Sequence, residues 1–407
     1  MSVYLLATLD TKGNEAALLR DRLVELGVTV VMVDTGCLGE PQVAADVTRQ
    51  EVFAAAGTSH AEMLDRNDRG VAVTQAAEGA TRLVVDALAR GEVEGVVALG
   101  GSAGTTIGTA TMRALPLGVP KVMISTLASG DVRHYVGDKD ILMFNSVVDL
   151  LGINRISRMV LCGAAAAMAG MVQNRLIESA AEDKPLVAAT MFGVTTPCVE
   201  RAKEILEAAG YEVLVFHATG NGGEAMESLI AEGMFAGVLD ITTTELADEL
   251  VGGILSAGPE RLTAAARCGI PQVVSVGATD MVNFAGRDSV PERFAERTFH
   301  RHNANVTLMR TTPEECAKLG EEIARKISAS TASAAIMLPL AGVSAIDCTD
   351  QPFDDSAARQ SLFDAVRSHS GACEVIEVDH HINHPALAEA AAEKLIEFME
   401  QKKTATK

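Results

Sequence analysis

The chain repeats its own architecture. VYLLATLDTKGNEAALLRDRLVELGVTVVMVDTG, from Val3 to Gly36, matches LVAATMFGVTTPCVERAKEILEAAGYEVLVFHATG, from Leu186 to Gly220, element by element: strand, polar loop, amphipathic helix, glycine turn, strand. Apolar residues fall at helical spacing in both copies, at Ala17, Leu18, Leu23 and Leu26 and again at Ala202, Ile205, Leu206 and Ala209. Gly27 and Gly210 supply the helix stops. The match continues, since GVVALGGSAGTT and then GVPKVMIST correspond to GVLDITTTELADEL and then GIPQVVSVG. A repeated β-α-β order predicts parallel sheets with right-handed crossovers, and ligands then collect at the carboxyl ends of the strands. The expected fold is α/β, with two Rossmann-like parallel-sheet domains related by an internal duplication, residues 1–182 and 183–407. The acidic, small-residue stretch ESAAEDKP, Glu178 to Pro185, is the natural boundary. The first copy carries an extra segment, about Cys37 to Ala80, expected to be partly helical. VTLMRTT, AAIMLPLAG and CEVIEVDHH add three strand candidates to the second domain and give it the larger sheet, and KKTATK reads as a frayed tail.

Composition narrows the partners. A length of 407 residues exceeds one core, and 48% hydrophobic against 22% charged residues gives ample apolar surface to bury. There is no Trp, and aromatics make up 3%, so stacking platforms for nucleic acid are scarce. A formal charge of −20 repels phosphate backbones and anionic lipid, which excludes nucleic acid and membrane as default partners. Seven scattered Cys without CxxC pairs, and an opening VYLLATLD with no basic region or cleavage pattern, predict a reduced, cytoplasmic protein. LCGAAAAMAGMV, Leu161 to Val172, is too short to span a bilayer and reads as a packed helix, joining the domains or making a two-fold subunit contact.

The stretch LGGSAGTT carries the strongest chemistry. After a buried strand, Gly100 and Gly101 permit unusual φ angles, and Ser102, Ala103 and Gly104 are small enough for backbone N–H groups to face an anion at the next helix's N-terminus. It is neither Walker A nor a full GxGxxG; the alternative is a tight turn capped by Ser102 or Thr105. Three more loops are expected on the same edge: TLDTKGNE with Asp10, Thr11, Lys12 and Gly13; VDTG with Asp34; and STLASGDV with Thr126, Ser129, Gly130 and Asp131. Asp34 stands where an acidic side chain receives ribose hydroxyls in dinucleotide folds. Lys12 would neutralise phosphate, and Asp10 or Asp131 would hold Mg²⁺ if one is present. Each has a plainer role, Lys12 as a solvated charge and the aspartates as turn or cap residues.

Taken together, TLDTKG, GGSAGTT, STLASGDV, NSVVDLLGIN, FGVTTPCV, HATGNGGEAME and GPERL resemble the UPF0261 or Tm-1-like ATP-binding proteins over nearly the entire chain. The resemblance implies two Rossmann-like subdomains, ATP in the N-terminal one and a homodimer. The plant member that gives the family its name inhibits viral RNA replication, an activity not carried over to this chain. Ala103 replaces a glycine of the family's GGSGGT.

In the second domain, FHATGNGGEAME places Thr219, Gly220, Gly222, Gly223 and Glu224 as another anion cradle, with Thr242, Thr243, Thr244 and Arg261 on the same expected edge. Arg261 would pair a small carboxylate or sugar acid. Six of nine His fall in FHATG, FHRHN and DHHINHP, at His217, His300, His302, His380, His381 and His384. His217, His300 or His302 would act as a general base, and the clusters raise a metal site with Asp379 or Glu224, although HxH and HHxxH are also common on plain surfaces. Cys198 at a helix start is either a nucleophile or a small packing residue. Three readings stand: an ATP-binding protein with a small anionic metabolite at an interdomain cleft, its reaction unassigned; a non-catalytic ATP-dependent protein-binding module; and an NAD-dependent dehydrogenase.

Overall fold

The computed structural model describes residues 1–174 and 184–405. Most of the boundary stretch, and the 182/183 division, lie outside the described residues. The chain separates into two compact units, Met1–Ala180 and Ala181–Lys407.

The N-terminal unit comprises β1 (Ser2–Ala7), α1 (Leu9–Glu25), β2 (Val30–Asp34), α2 (Arg49–Ala55), α3 (His60–Arg66), α4 (Arg69–Ala89), β3 (Val93–Gly100), α5 (Ser102–Arg113), β4 (Lys121–Ser125), α6 (Arg133–Val136), β5 (Leu142–Asn145) and α7 (Arg155–Gln173). Its strands form a sheet of order β2-β1-β3-β4-β5, and every pairing is parallel. The inner strands β1, β3 and β4 are largely apolar runs buried on both faces, as a parallel sheet between helices requires, whereas the edge strand β5 is partly exposed. Leu19 and Leu23 of α1 pack with Leu161 and Met168 of α7 on one face, while α2, α4 and α5 contribute Phe53, Ala76, Ala80 and Ile107 to the other. The extra segment is indeed helical, as α2, α3 and the first half of α4. It packs closely: a Cβ on Gly79 of α4 would lie 1.9 Å from the Val52 carbonyl oxygen of α2.

The C-terminal unit comprises β6 (Leu186–Met191), α8 (Thr196–Ala208), β7 (Glu212–His217), α9 (Asn221–Ala231), β8 (Gly237–Thr242), α10 (Thr244–Val251), α11 (Ala264–Cys268), β9 (Gln272–Gly277), β10 (Met281–Phe284), β11 (Phe299–Arg301), β12 (Thr307–Arg310), α12 (Pro313–Ser328), β13 (Ala334–Pro339), α13 (Ser356–His369), β14 (Glu374–Val378) and α14 (Pro385–Ala405). Its main sheet runs β14-β13-β9-β8-β6-β7. Read from the β7 edge, its strands come in the chain order 2-1-3-4-5-6, the N-terminal order with one strand added, so the duplication extends to topology. The helices repeat as well: α8 and α14 cover one face, as α1 and α7 do in the first unit, and α12 and α13 pack on the other.

Three expectations change. The loop TLDTKGNE is helical from Leu9, and its irregularity is confined to Lys12, whose φ and ψ of −128° and 20° kink the first turn. VTLMRTT does not join the large sheet; its strand β12 sits between β10 and β11 in a separate antiparallel sheet. The tail is not frayed at its start, because Lys402 to Ala405 continue α14.

Gly79→Ala is expected to push α2 from α4 and to cost about 1–3 kcal/mol, the usual range for overpacking. Urea unfolding of the variant against the parent measures it, and an unchanged midpoint would contradict the packing described.

Candidate functional site

The chain leaves β1 toward β2 and returns past it to β3, so the order reverses between β1 and β3, where open α/β sheets bind ligands. At that point Gly100 ends β3 and α5 begins. The glycines are packing requirements: a Cβ on Gly100 would lie 2.9 Å from the Gly104 Cα, and one on Gly104 would lie 2.8 Å from the Leu99 carbonyl oxygen. Strand and helix therefore meet with no side chain between them. Thr105 carries the first amide of the helix to find a backbone acceptor, the Gly101 oxygen at 2.8 Å. Among the described residues the amides of Ser102, Ala103 and Gly104 have no internal acceptor, and no side chain caps the helix. Ser102 is exposed. Unpaired N–H groups at the positive end of a helix macrodipole favour negative charge.

Two cavities flank this turn. One, of about 320 Å³, gathers Thr8, Asp10 and Thr11 from the start of α1, Leu38 and Gly39 from beyond β2, and Ala103. Arg69 of α4 also lines it, a cation that sequence reasoning missed because it lies in the extra segment. The other, of about 360 Å³, gathers Thr126, Ser129, Gly130 and Asp131 with His134 and Tyr135. Ten of the N-terminal candidates thus come together around α5: Asp10, Thr11, Gly101, Ser102, Ala103, Gly104, Thr126, Ser129, Gly130 and Asp131.

The others do not. Asp34 is buried, and its carboxylate accepts hydrogen bonds from the amides of Leu9 and Gly36 and from Arg49 Nε at 2.7 Å. It fastens α2 to the sheet and is no ribose acceptor. Lys12 donates its ammonium to the Leu150 carbonyl instead of to a phosphate. Gly13 is buried under Gln42 and Val43. The Thr105 hydroxyl is fully buried between the Gly101 carbonyl and Ser125 Oγ.

In the C-terminal unit the helix that corresponds to α5 is α10, and a side chain of its first turn reaches across to the start of α9. In the repeat, Glu245 falls at the position of Ala103, and its Oε1 accepts from the amides of Gly220 and Gly223 at 2.7 and 3.1 Å. Gly220 and Gly223 are therefore a cradle already holding an internal anion. Arg261, with no exposed surface, bonds Asp240, Glu245 and Glu227. Burial alone would lower its pKa, but the flanking carboxylates raise it, so it stays charged and spent on them. The Thr242 hydroxyl meets Thr195 and that of Thr243 meets the Ser275 carbonyl, while Thr244, also fully buried, lies within reach of Asn283. Thr219 bonds back to the His217 carbonyl, a Cβ on Gly222 would collide with that same carbonyl, and Glu224 faces solvent. The Gly220 and Gly223 amides, Arg261 and the Thr242 and Thr243 hydroxyls are thus committed to partners within the protein.

His217 packs on Phe192 and His300 on Phe353, two rings of one apolar cluster, and His302 is exposed on the antiparallel sheet's turn. Thr243 is fully buried, so it offers no surface to a ligand held by these histidines. His380 and His384 stack at 3.6 Å, and among the described residues no three His, Cys, Asp or Glu converge for a metal. Cys198 lies in the core, where burial pushes its thiol up to about 12, against nucleophilic use.

Sequence reasoning also missed a buried network at the carboxyl ends of β9 and β13. Asp280 accepts from Ser344 Oγ at 2.9 Å, and Arg310 and Arg359 both donate to Asp347. Asp280 Oδ1 has no partner. Burial, then the charge of Asp347, pushes the Asp280 carboxyl up to about 7.

This geometry defines a class: a duplicated, doubly wound α/β chain with an uncapped helix start after the third strand of the first copy and, in the second, a carboxylate of the matching helix laid on the start of its neighbour. The chain belongs to the UPF0261 family, matching the uncharacterised protein family (UPF0261) N-terminal domain over residues 1–176 and its C-terminal domain over 184–399. A UPF0261 protein of Clostridium tetani (strain Massachusetts / E88) is 46% identical over 401 residues, covering 98% of this chain and 99% of the relative. One from Rhizobium meliloti (strain 1021) is 47% identical over 392 residues, covering 96% and 97%. The ToMV resistance protein Tm-1(GCR237) of Solanum lycopersicum is 40% identical over 420 residues, covering 97% of this chain and 55% of that protein.

Because the folded pKa of Asp280 is raised, its stabilising contribution is present below the ordinary carboxylate range and lost as pH rises through about 7. Asp280→Asn keeps an acceptor for Ser344 and removes the titration. Its loss of stability between pH 5 and 8 is expected to be shallower than the parent's, by roughly 2–3 kcal/mol. Urea midpoints at both pH values check this, and parallel curves would contradict it.

Proposed function

We propose that the N-terminal unit binds a nucleoside triphosphate, ATP, with its phosphates on the Ser102, Ala103 and Gly104 amides. The observation that carries this reading is the set of three unpaired amides at the strand-order reversal, set between two cavities. A protein of net charge −20 holds phosphate only where donors are arranged for it, and these amides with Arg69 are such donors. The family resemblance adds ATP as the nucleotide. The Asp10 carboxylate and the Thr8 and Thr11 hydroxyls line the cavity beside Ala103, with Asp10 Oδ2 held by the Leu38 and Gly39 amides and Oδ1 buried beside Gly36, where the Arg49 guanidinium also packs. A hard cation takes such oxygens, and bound there it would neutralise phosphate charge. Nicotinamide dinucleotide is the poorer candidate, because Asp34, on which that reading depended, is committed to Arg49.

A second observation favours a binding module that works as a dimer. Leu142, Val147, Leu151, Ile153, Ile156 and Met159 are all exposed, at 39–80%, in one stretch from β5 into α7. Val147 is displayed at a φ of +64°, rare for a β-branched residue, with the Val148 amide bonded to the Ser146 carbonyl. On α7 the exposed positions Ile156, Met159, Gly163 and Ala166 recur at spacings of three and four, suited to a second copy of the same helix. We assign this face to a homodimer contact.

Ser102→Asp places a carboxylate where phosphate would sit, while an acidic residue in a first helical turn favours folding. A like charge at about 4 Å costs roughly 1–4 kcal/mol, so Mg·ATP affinity by calorimetry is expected to fall about ten-fold or more. Equal affinity in parent and variant would reject the site. Separately, Leu151→Asp with Met159→Asp is expected to turn a dimer into a monomer by light scattering at unchanged helicity, and a variant that keeps the parent's mass rejects the contact.

A further inference from the structure

The cavity on the β4 side of α5 differs in chemistry from its neighbour. It starts at the anion site, since the Thr126 amide donates to the Gly100 carbonyl and a Cβ on Gly101 would lie 3.7 Å from Thr126 Oγ1. Its far wall is aromatic. The His134 and Tyr135 rings stand 4.0 Å apart, inclined by 42°, in a chain with three Tyr and no Trp. Tyr4 and Tyr211 are buried in the cores, so Tyr135 is the tyrosine left facing a cavity. Its backbone is held in place, because Arg113 of α5 donates to the Tyr135 carbonyl.

Charge sets a direction across the site. Arg69 lines the cavity on the β1 side, whereas among the described residues no Lys or Arg lines this one, whose charged wall is the Asp131 carboxylate. Asp131 Oδ1 accepts from the Arg133 amide at 3.1 Å, and Oδ2 is left for a ligand donor. A carboxylate repels phosphate and accepts from hydroxyls or an exocyclic amine. The residue expected to receive ribose, Asp34, is sealed away.

We infer that this cavity is the nucleoside subsite: the base stacks against Tyr135, Asp131 accepts from the sugar or base, and the phosphates run over the α5 amides toward Arg69. The inference rests on the nucleotide reading above and adds to it the orientation of the ligand and the residues that read its uncharged end. A volume of about 360 Å³ is ample for a base with its sugar.

The test compares Mg·ATP with inorganic tripolyphosphate, which has no base, by titration calorimetry on the full chain, the Tyr135→Ala and Tyr135→Phe variants and the parent. Loss of base stacking is expected to weaken ATP about ten-fold in Tyr135→Ala and to leave tripolyphosphate unchanged, while Tyr135→Phe, which keeps the ring, binds both as the parent does. The inference is overturned if Tyr135→Ala binds ATP like the parent, or loses both ligands equally. A parent that binds tripolyphosphate as tightly as ATP overturns the subsite and spares the phosphate site; a parent that binds neither overturns both.

Discussion

Because β1 lies between β2 and β3, the chain that follows β1 and the chain that follows β3 depart in opposite directions from adjacent strand ends. Nothing covalent bridges the gap that opens there, and the helix starts on either side face it with their uncapped ends. In the N-terminal unit this constraint is sharpened by the absence of side chains at Gly100 and Gly104, which draws α5 down onto β3. The result is a rigid turn whose donors are fixed before any ligand arrives, the condition under which weak individual hydrogen bonds add usefully to binding. Arg69 and Asp131, on opposite flanks, give the turn a polarity that the amides alone lack.

The second copy treats the matching helix differently. Glu245 of α10 lays its carboxylate on the Gly220 and Gly223 amides at the start of α9, and Arg261 donates to it and to Asp240 and Glu227. A fully buried cluster of this kind is held by mutual satisfaction, since removing one partner strands the rest in a low dielectric. One topology therefore carries an uncapped helix start in the first copy and a bonded carboxylate in the second, and the difference begins with Ala103 in one repeat and Glu245 in the other.

Much of the architecture was legible because period and order are local properties. The repeats, the helix stops at Gly27 and Gly210 and the parallel strands followed from spacing alone, and so did the gathering of Asp10, Thr126 and Asp131 around GGSAGTT. Pairing was not legible. Asp34 and Arg261 have the residue types of ligand contacts, and only their distant partners, Arg49 fifteen positions on and Asp240 on a neighbouring strand, disclose that they are structural. Glycines misled in the same way: at Gly222 and Gly223 the missing Cβ makes room for the His217 carbonyl and Glu245, not for a ligand. VTLMRTT illustrates a further limit, since an apolar strand does not announce which sheet it will enter.

The Lys12 ammonium on the Leu150 carbonyl has a consequence beyond its own hydrogen bond. Together with Glu15, which accepts from the Gly152 amide, it laces the start of α1 to the very segment that exhibits Val147 and Leu151. The helix whose first turn walls the cavity and the oily outer face are thus tied together by two hydrogen bonds.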